Sequence, residues 1–401
     1  MKLAILSLHT SPLAQPGTGD GGGMNVYVRE FASALASAGV DCRVYVRRWA
    51  DELPDEVEVE PGFRVVHITA GPSVATKEEL EAHVEAYAAG VAADFDTFRP
   101  DVIHANYWLS GVAGRLLKQQ CGLPLLTTFH TLARVKAELG DPEPEHRARA
   151  EAAVMSCADA VLANCTAEAE QLVEYYGADR DRIEIVPPGV DHAFFSPGSQ
   201  AGARWALRTD DAPLLLFVGR IQPLKGVDVA VQTLAALERD DARLWIVGGA
   251  SGTGGDGAVT RVRELIAEHD LSKRVSFMPP VPHHLLSTYY RAADVCLVPS
   301  RSESFGLVAL EAAACGTPTV ASAVGGLLTL VEHGHTGYLV EGRDPAHYAA
   351  HVDRILADPV LARRLGISAA ARGRTYTWSR SAERLHRLYV DLGARALAPC
   401  D

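Results

Sequence analysis

The sequence predicts an α/β protein made of two successive doubly wound parallel sheets, two domains facing each other across a cleft. Three observations carry this. Short apolar runs alternate with helical patterns. The alternation breaks off and restarts about halfway along the 401 residues. A stretch rich in Pro, Gly and Ser lies between the halves. A chain of this length exceeds what one core serves and suits two domains of about 200 residues each.

In the first half, residues 3–8, 41–46, 65–69, 102–105, 123–127, 160–163 and 183–186 read as buried strands. Residues 25–39 and 77–98 read as helices between them. The segments 187–191 and 196–200 form the linker, with a hinge near residue 195. The second half runs strand 213–219, helix, strand 244–247, helix 259–269, strand 275–278, helix 285–292 and strand 295–299. The glycine patch 252–257 reads as a loop. The expected division is therefore 1–195, 196–376 and a helical tail, 377–401, packing back on the N-terminal domain. Ligands of such sheets bind at the carboxyl ends of the strands.

A formal net charge of -12 argues against nucleic acid or an anionic membrane as the main partner, though a local basic pocket can still take an anionic substrate. Seven scattered cysteines, Cys42, Cys121, Cys157, Cys165, Cys296, Cys315 and Cys400, include no C-x-x-C pair and predict free buried thiols in a reducing compartment. The apolar run at 1–8 is too short for a signal peptide, and no window reaches the ~18 apolar residues of a membrane span. A cytoplasmic protein is expected.

Three motifs carry chemistry. The first, 16–25, is glycine-rich, follows strand one and opens helix one. Its amides and the helix N-terminus suit a phosphate. It is neither a dinucleotide fingerprint, for want of an acidic residue ending a second strand, nor a Walker loop, for want of Gly-Lys-Ser/Thr. The second, 217–226, places Arg220 and Lys225 just past a strand. Two cations there can grip a diphosphate and stabilise it as it departs. The third, 299–311, holds Glu303 in a strand-to-helix turn and Glu311 about two turns into the helix, with Ser304, Phe305, Gly306 and Leu307 offering first-turn amides to an anion.

These motifs, with 323–327 and 335–340, resemble the family 4 retaining glycosyltransferases of the GT-B fold, over nearly the whole chain. The segments 8–13, 17–27, 106–111 and 129–136 are similar to the mycothiol-pathway branch of that family, which joins N-acetylglucosamine from UDP-GlcNAc to 1L-myo-inositol 1-phosphate. The resemblance implies an N-terminal acceptor-binding domain and a C-terminal nucleotide-sugar-binding domain. It implies Arg220 and Lys225 as diphosphate grippers, Glu303 on the donor sugar, Glu311 on the ribose, Gly23 at the donor phosphate and His130 near the transferred sugar. Lys77, Tyr107, Thr131 and Arg147 match its acceptor-phosphate cluster, with Arg149 the alternative to Arg147, and Asn25 matches an inositol contact. Leu327, Phe129 and Arg134 depart from the residues usual there.

No metal is implied, and no cofactor beyond the nucleotide sugar as co-substrate. A homodimer is among the expectations. The D-x-D at Asp94 and Asp96 ends a helical segment and reads as a solvated face, and no Cys/His cluster has zinc spacing. His9, His67 and His104 read as structural. The alternatives are a secondary-metabolism glycosyltransferase with another nucleotide sugar and a cyclitol or thiol acceptor, a sucrose-phosphate-synthase-like enzyme, a nucleotide-sugar epimerase and a non-catalytic nucleotide-sugar sensor.

Overall fold

The computed structural model describes residues 1–17, 21–76, 79–250 and 255–400, with the side chains of 255 and 256 left aside. Lys77, the centre of the first glycine motif at 18–20, and 251–254 of the expected loop lie outside the described residues. The chain divides into two units. One holds Met1–Ala14, Met24–Pro188 and Trp378–Asp401; the other holds Gln15–Gly23 and Gly189–Thr377. The change at Pro188 falls ahead of the hinge expected near residue 195.

The first unit has strands β1 (Lys2–Leu6), β2 (Asp41–Arg47), β3 (Glu56–Glu60), β4 (Phe63–Ile68), β5 (Val102–Asn106), β6 (Leu125–Thr128), β7 (Ala160–Ala163) and β8 (Ile183–Ile185). Their order across the sheet is β3-β4-β2-β1-β5-β6-β7-β8. All pairs are parallel except β3 with β4. β3 reads Glu-Val-Glu-Val-Glu, a charged edge strand whose Glu56 pairs with Arg64 of β4 at 3.1 Å. It hides from a search for apolar runs.

The order reverses between β1 and β5, so the loops leaving those two strands open a crevice at the sheet's carboxyl edge. The helix Trp108–Cys121 follows β5 and packs tightly because it carries glycines. A Cβ on Gly114 would sit 2.7 Å from Leu125 Cδ1. The C-terminal helix Trp378–Ala394 lays Trp378, Leu385 and Tyr389 on the other sheet face, where Tyr389 donates or accepts a 2.8 Å bond with His104.

The second unit has β9 (Leu214–Val218), β10 (Arg243–Val247), β11 (Val275–Met278), β12 (Val295–Val298), β13 (Thr319–Ser322) and β14 (Gly337–Val340). Its sheet is parallel, in the order β11-β10-β9-β12-β13-β14, and reverses between β9 and β12. The expected patch 252–257 is helical from Gly255.

Two expectations are corrected. Cys157 and Cys400, with Cα atoms 4.4 Å apart, form a disulfide, so the thiols are not all free. Asp94 is not on a solvated face: it takes bonds from Arg43 at 2.7 Å and from the Tyr45 hydroxyl at 2.7 Å. No helix among the described residues is long and apolar enough to cross a membrane.

Candidate active site

In the second unit the reversal brings the ends of β9 and β12 side by side. From β9 the chain passes Gly219 and Arg220 into the turn Pro223–Lys225; from β12 it passes Ser300 to Glu303. Arg301 N bonds Leu224 O at 2.8 Å and ties the two loops together. Lys225 Nζ donates to Glu303 Oε1, and Ser300 Oγ donates to the same oxygen at 3.0 Å. Two backbone positions make this approach possible. Gly226, at φ 72°, lies where a Cβ would be 2.0 Å from Pro299 O. Gly325, at φ 48°, lies where one would be 2.0 Å from Glu303 O, while Gly326 N bonds that oxygen at 3.0 Å. The segment 323–327 is thus the floor under Glu303. Leu327 is fully buried against Gly306.

Arg220 lies beside Gly22, where a Cβ would meet its Nε at 3.2 Å, and a Cβ on Gly23 would be 3.7 Å from Leu307 Cδ1. The helix after β12 starts later than expected. It spans Leu307–Cys315 behind Gly306 at φ 99°, so Ser304, Phe305 and Gly306 form the loop before it, and the first turn begins at Leu307. Glu311 is therefore one turn in. It is buried, its Oε1 2.7 Å from His283 Nε2, its Oε2 accepting from the Tyr290 hydroxyl at 2.8 Å. A carboxylate has about four acceptor sites, so both oxygens keep capacity for a further donor. Sequence reading missed His283 and Tyr290, whose only signal is proximity in the fold, and gave Ser300, inside the third motif, no role.

In the first unit the corresponding edge carries backbone strain. Among the described residues five that are not glycine have positive φ. Arg99, Arg208 and Asp270 sit at helix ends. The other two, Tyr107 at φ 76°, ψ 156° and His130 at φ 62°, directly follow β5 and β6. The Tyr107 region of backbone space is essentially reserved for glycine, and such residues gather at functional sites.

His130 Nε2 donates to Asn106 Oδ1 at 2.9 Å, and its ring meets Tyr27 edge-on at 4.9 Å. Burial pushes its pKa down to about 3, so the ring is neutral at physiological pH. Asn106 Nδ2 is buried without a partner.

Arg147, on the helix Glu145–Cys157, is the hub of this edge. Its Nε bonds Glu151 Oε1 at 2.9 Å, one terminal nitrogen reaches Glu143 Oε1 at 2.8 Å, and the other reaches Thr131 Oγ1 at 3.0 Å. The guanidinium lies 5.1 Å over the Tyr107 ring, which packs 4.2 Å from His9. So Tyr107, Thr131 and Arg147 come together from three segments, and Lys77 is outside the described residues. Arg147 is buried whereas Arg149 is exposed, which favours Arg147 as the cluster's arginine.

Asn25 Nδ2 donates to Thr10 Oγ1 at 2.5 Å and Ser11 O at 2.6 Å, so it shapes the loop after β1. Phe129 is buried in the core, and Arg134 stacks on Tyr176 at 5.0 Å. His104 is locked between Tyr389 and Thr128, and His67 Nδ1 bonds Pro54 O at 2.6 Å.

Comparison with known proteins places this geometry. Residues 22–189 match the family described as "Glycosyl transferase 4-like domain", and 202–372 match "Glycosyl transferases group 1". The chain is 47% identical to the "D-inositol 3-phosphate glycosyltransferase" of Geodermatophilus obscurus, covering 97% of this chain and 89% of that one. It is 47% identical to the protein of the same name from Xylanimonas cellulosilytica, covering 98% and 97%. Among solved structures, a sucrose-phosphate synthase from Thermosynechococcus elongatus superposes with a TM-score of 0.93 at 35% identity, over 98% and 100% of the chains. Anabaena Alr3699/HepE in complex with UDP and glucose superposes at 0.79 with 20% identity, over 98% and 100%, a likeness of fold. Two parallel-sheet units, a glycine-floored Lys225–Glu303 ion pair in one and relatives alike along nearly their whole length place the chain in the GT-B glycosyltransferases, in the family of the D-inositol 3-phosphate glycosyltransferases.

Proposed function

We propose that this protein is a retaining, metal-independent enzyme that moves N-acetylglucosamine from UDP-GlcNAc to 1L-myo-inositol 1-phosphate, which is D-inositol 3-phosphate. The observation that carries the acceptor is the meeting of Arg147, Thr131 and Tyr107 at one strand edge. A guanidinium and two hydroxyls suit a phosphate, and the relatives' name points to the same molecule.

In this reading Arg220 and Lys225 hold the donor diphosphate, Glu303 takes the donor sugar's hydroxyls and Glu311 the ribose. The bond from the anomeric carbon to the β-phosphate oxygen breaks. An acceptor hydroxyl oxygen bonds to that carbon on the same face, and its proton passes to the departing phosphate. The two cations stabilise the growing charge on the leaving group, work that a metal does in other enzymes. Neutral His130 offers a hydrogen bond near the sugar without adding charge.

The test is a donor and acceptor screen by mass spectrometry, with and without EDTA. A single N-acetylglucosaminyl inositol phosphate product, α-linked and formed in chelator at an unchanged rate, is expected. A β-linked product overturns retention, and loss of activity restored by magnesium or manganese overturns the leaving-group role of the cations. The 35% identical sucrose-phosphate synthase favours a second reading, glucosyl transfer to a fructose phosphate. Turnover of that pair alone would replace the first reading.

A further inference from the structure

The acceptor-phosphate cluster is not an open cation site. Lys136 bonds both Asp141, at 2.9 Å, and Glu143; Arg147 bonds Glu143 and Glu151. Two cations thus face three carboxylates, and the described part of the cluster is one charge negative overall. Glu143 Oε1 alone bridges the two cations.

The carboxylates differ in how firmly they are held. The Glu151 side chain is fully buried on a helix and also takes bonds from Ala133 N and the Tyr176 hydroxyl. Glu143 lies in the irregular segment between the helices Ala133–Glu138 and Glu145–Cys157, its side chain 21% exposed. Burial works to raise its pKa, but Arg147 and Lys136 outweigh burial and hold it below the ordinary carboxylate range, so it stays ionised at neutral pH.

We propose that Glu143 is a specificity-determining residue whose carboxylate competes with the acceptor's phosphate for Lys136 and Arg147. Entry of the phosphate requires the Glu143 carboxylate to swing out, leaving Lys136 and Arg147 to the ligand. A phosphomonoester carries about -1.5 to -2 charges at neutral pH and outcompetes a single carboxylate. An uncharged polyol offers nothing in exchange and leaves Glu143 in place. This rests on the proposed phosphorylated acceptor and adds the means by which the site refuses the unphosphorylated one.

The experiment compares the full-length wild type with Glu143→Gln, using UDP-GlcNAc as donor and inositol phosphate or inositol as acceptor. Gln keeps the shape and loses the charge. The expected result is a fall in KM for inositol phosphate on the order of tenfold, the scale of one charge-assisted bond no longer competed for, with donor KM unchanged. Inorganic phosphate becomes a stronger inhibitor by a similar factor. Glu145→Gln removes the same charge two residues on and leaves KM unchanged if the effect is local. Glu143→Asp, a weaker bridge, gives a smaller fall in KM and serves if the Gln variant misfolds. A KM that rises or stays put in the Glu143 variants overturns the inference, since it makes Glu143 a support for Arg147. An equal fall in Glu145→Gln overturns it as well. A wild type that does not distinguish inositol phosphate from inositol overturns the acceptor reading instead.

Discussion

The two strand-edge sites are built by opposite means. In the second unit, Lys225 and Glu303 meet because glycines at 226 and 325 let backbone run against backbone. The loops there are contiguous pieces of sequence. In the first unit, no glycine stands at Tyr107 or His130, yet the backbone adopts positive φ at both. Tyr107 and Thr131 reach Arg147 from separate segments, and each cation is already matched by carboxylates of the stretch 136–151. One site is made by removing side chains, the other by strain and charge compensation.

That difference decides where mutations hurt. In the first unit, Arg147→Ala leaves the buried Glu151 without its cation, with only Ala133 N and the Tyr176 hydroxyl donating to it. Stability should fall by about 3–5 kcal/mol, the usual cost of breaking a buried pair, and acceptor KM should rise while donor KM stays within error. Urea unfolding and steady-state kinetics measure both. A folded, fully stable Arg147→Ala would mean Glu151 is protonated or hydrated once alone, and the compensation argument would fail. In the second unit, Lys225→Ala or Arg220→Ala should lower kcat on the order of 10²-fold, as losing a charge at a developing anion does, with a small change in unfolding midpoint. Near-normal rates in both variants would sink the leaving-group assignment.

Burial also makes the first unit sensitive to acid. Burial holds His104 and His130 down at about 3, far below the ordinary 6.5, and raises Glu168 from 4.5 to about 7. Between pH 6.5 and 4.5 the unfolded chain binds two protons on the histidines that the folded chain does not, and the folded chain keeps one on Glu168. One more proton is bound by the unfolded state, so stability falls as pH falls, by roughly 1.4 kcal/mol per pH unit from these three groups. Below 4.5 Glu168 no longer opposes the histidines and the slope doubles. Hydrogen exchange at pH 7 and pH 5 checks it: peptides from β5 and β6 should lose protection first. Equal loss in β9 and β12 would count against the contrast.

The same contrast explains what could be read from sequence. The second-unit site is legible because its chemistry is local. Arg220 and Lys225 lie on one loop, Glu303 and Glu311 on another, and the glycines that admit them are printed in the chain. What reading misplaced there was the start of the helix: Ser304, Phe305 and Gly306 were expected in its first turn, but Gly306 turns the chain at φ 99° and the helix begins at Leu307. The parallel strands were legible as apolar runs. β3 was not, since every second residue is Glu and it is paired on one side only. In the first unit, Tyr107, Thr131 and Arg147 could be grouped only by resemblance, because no spacing rule joins residues on three segments. Glu143 and Glu151, which set the charge of that cluster, stand four residues either side of Arg147, an ion-pair spacing that marks a local pair and not a ligand site.

Backbone strain offers the smallest test of the contrast. Arg208 ends the helix Gln200–Leu207 at φ 54°, ψ 40°, its N–H reaching Arg204 O and Trp205 O. That is a helix C-cap, where glycine is the residue of choice. The Arg208 side chain is exposed and the position serves only to end a helix. Arg208→Gly should therefore relieve left-handed strain worth about 1–2 kcal/mol, lose part of it to the freer unfolded chain, and stabilise by roughly 0.5–1 kcal/mol. Tyr107→Gly relieves strain in the same sense, at a backbone position harsher for a side chain. Yet it removes the ring that supports the Arg147 guanidinium and packs on His9. That variant should be less stable than wild type and should bind acceptor more weakly, with donor KM unchanged. Thermal unfolding of the two variants side by side separates the cases. If Tyr107→Gly gained stability and kept acceptor KM, the strain at the end of β5 would be an accident of the fold, and the first-unit site would lose its strongest structural mark.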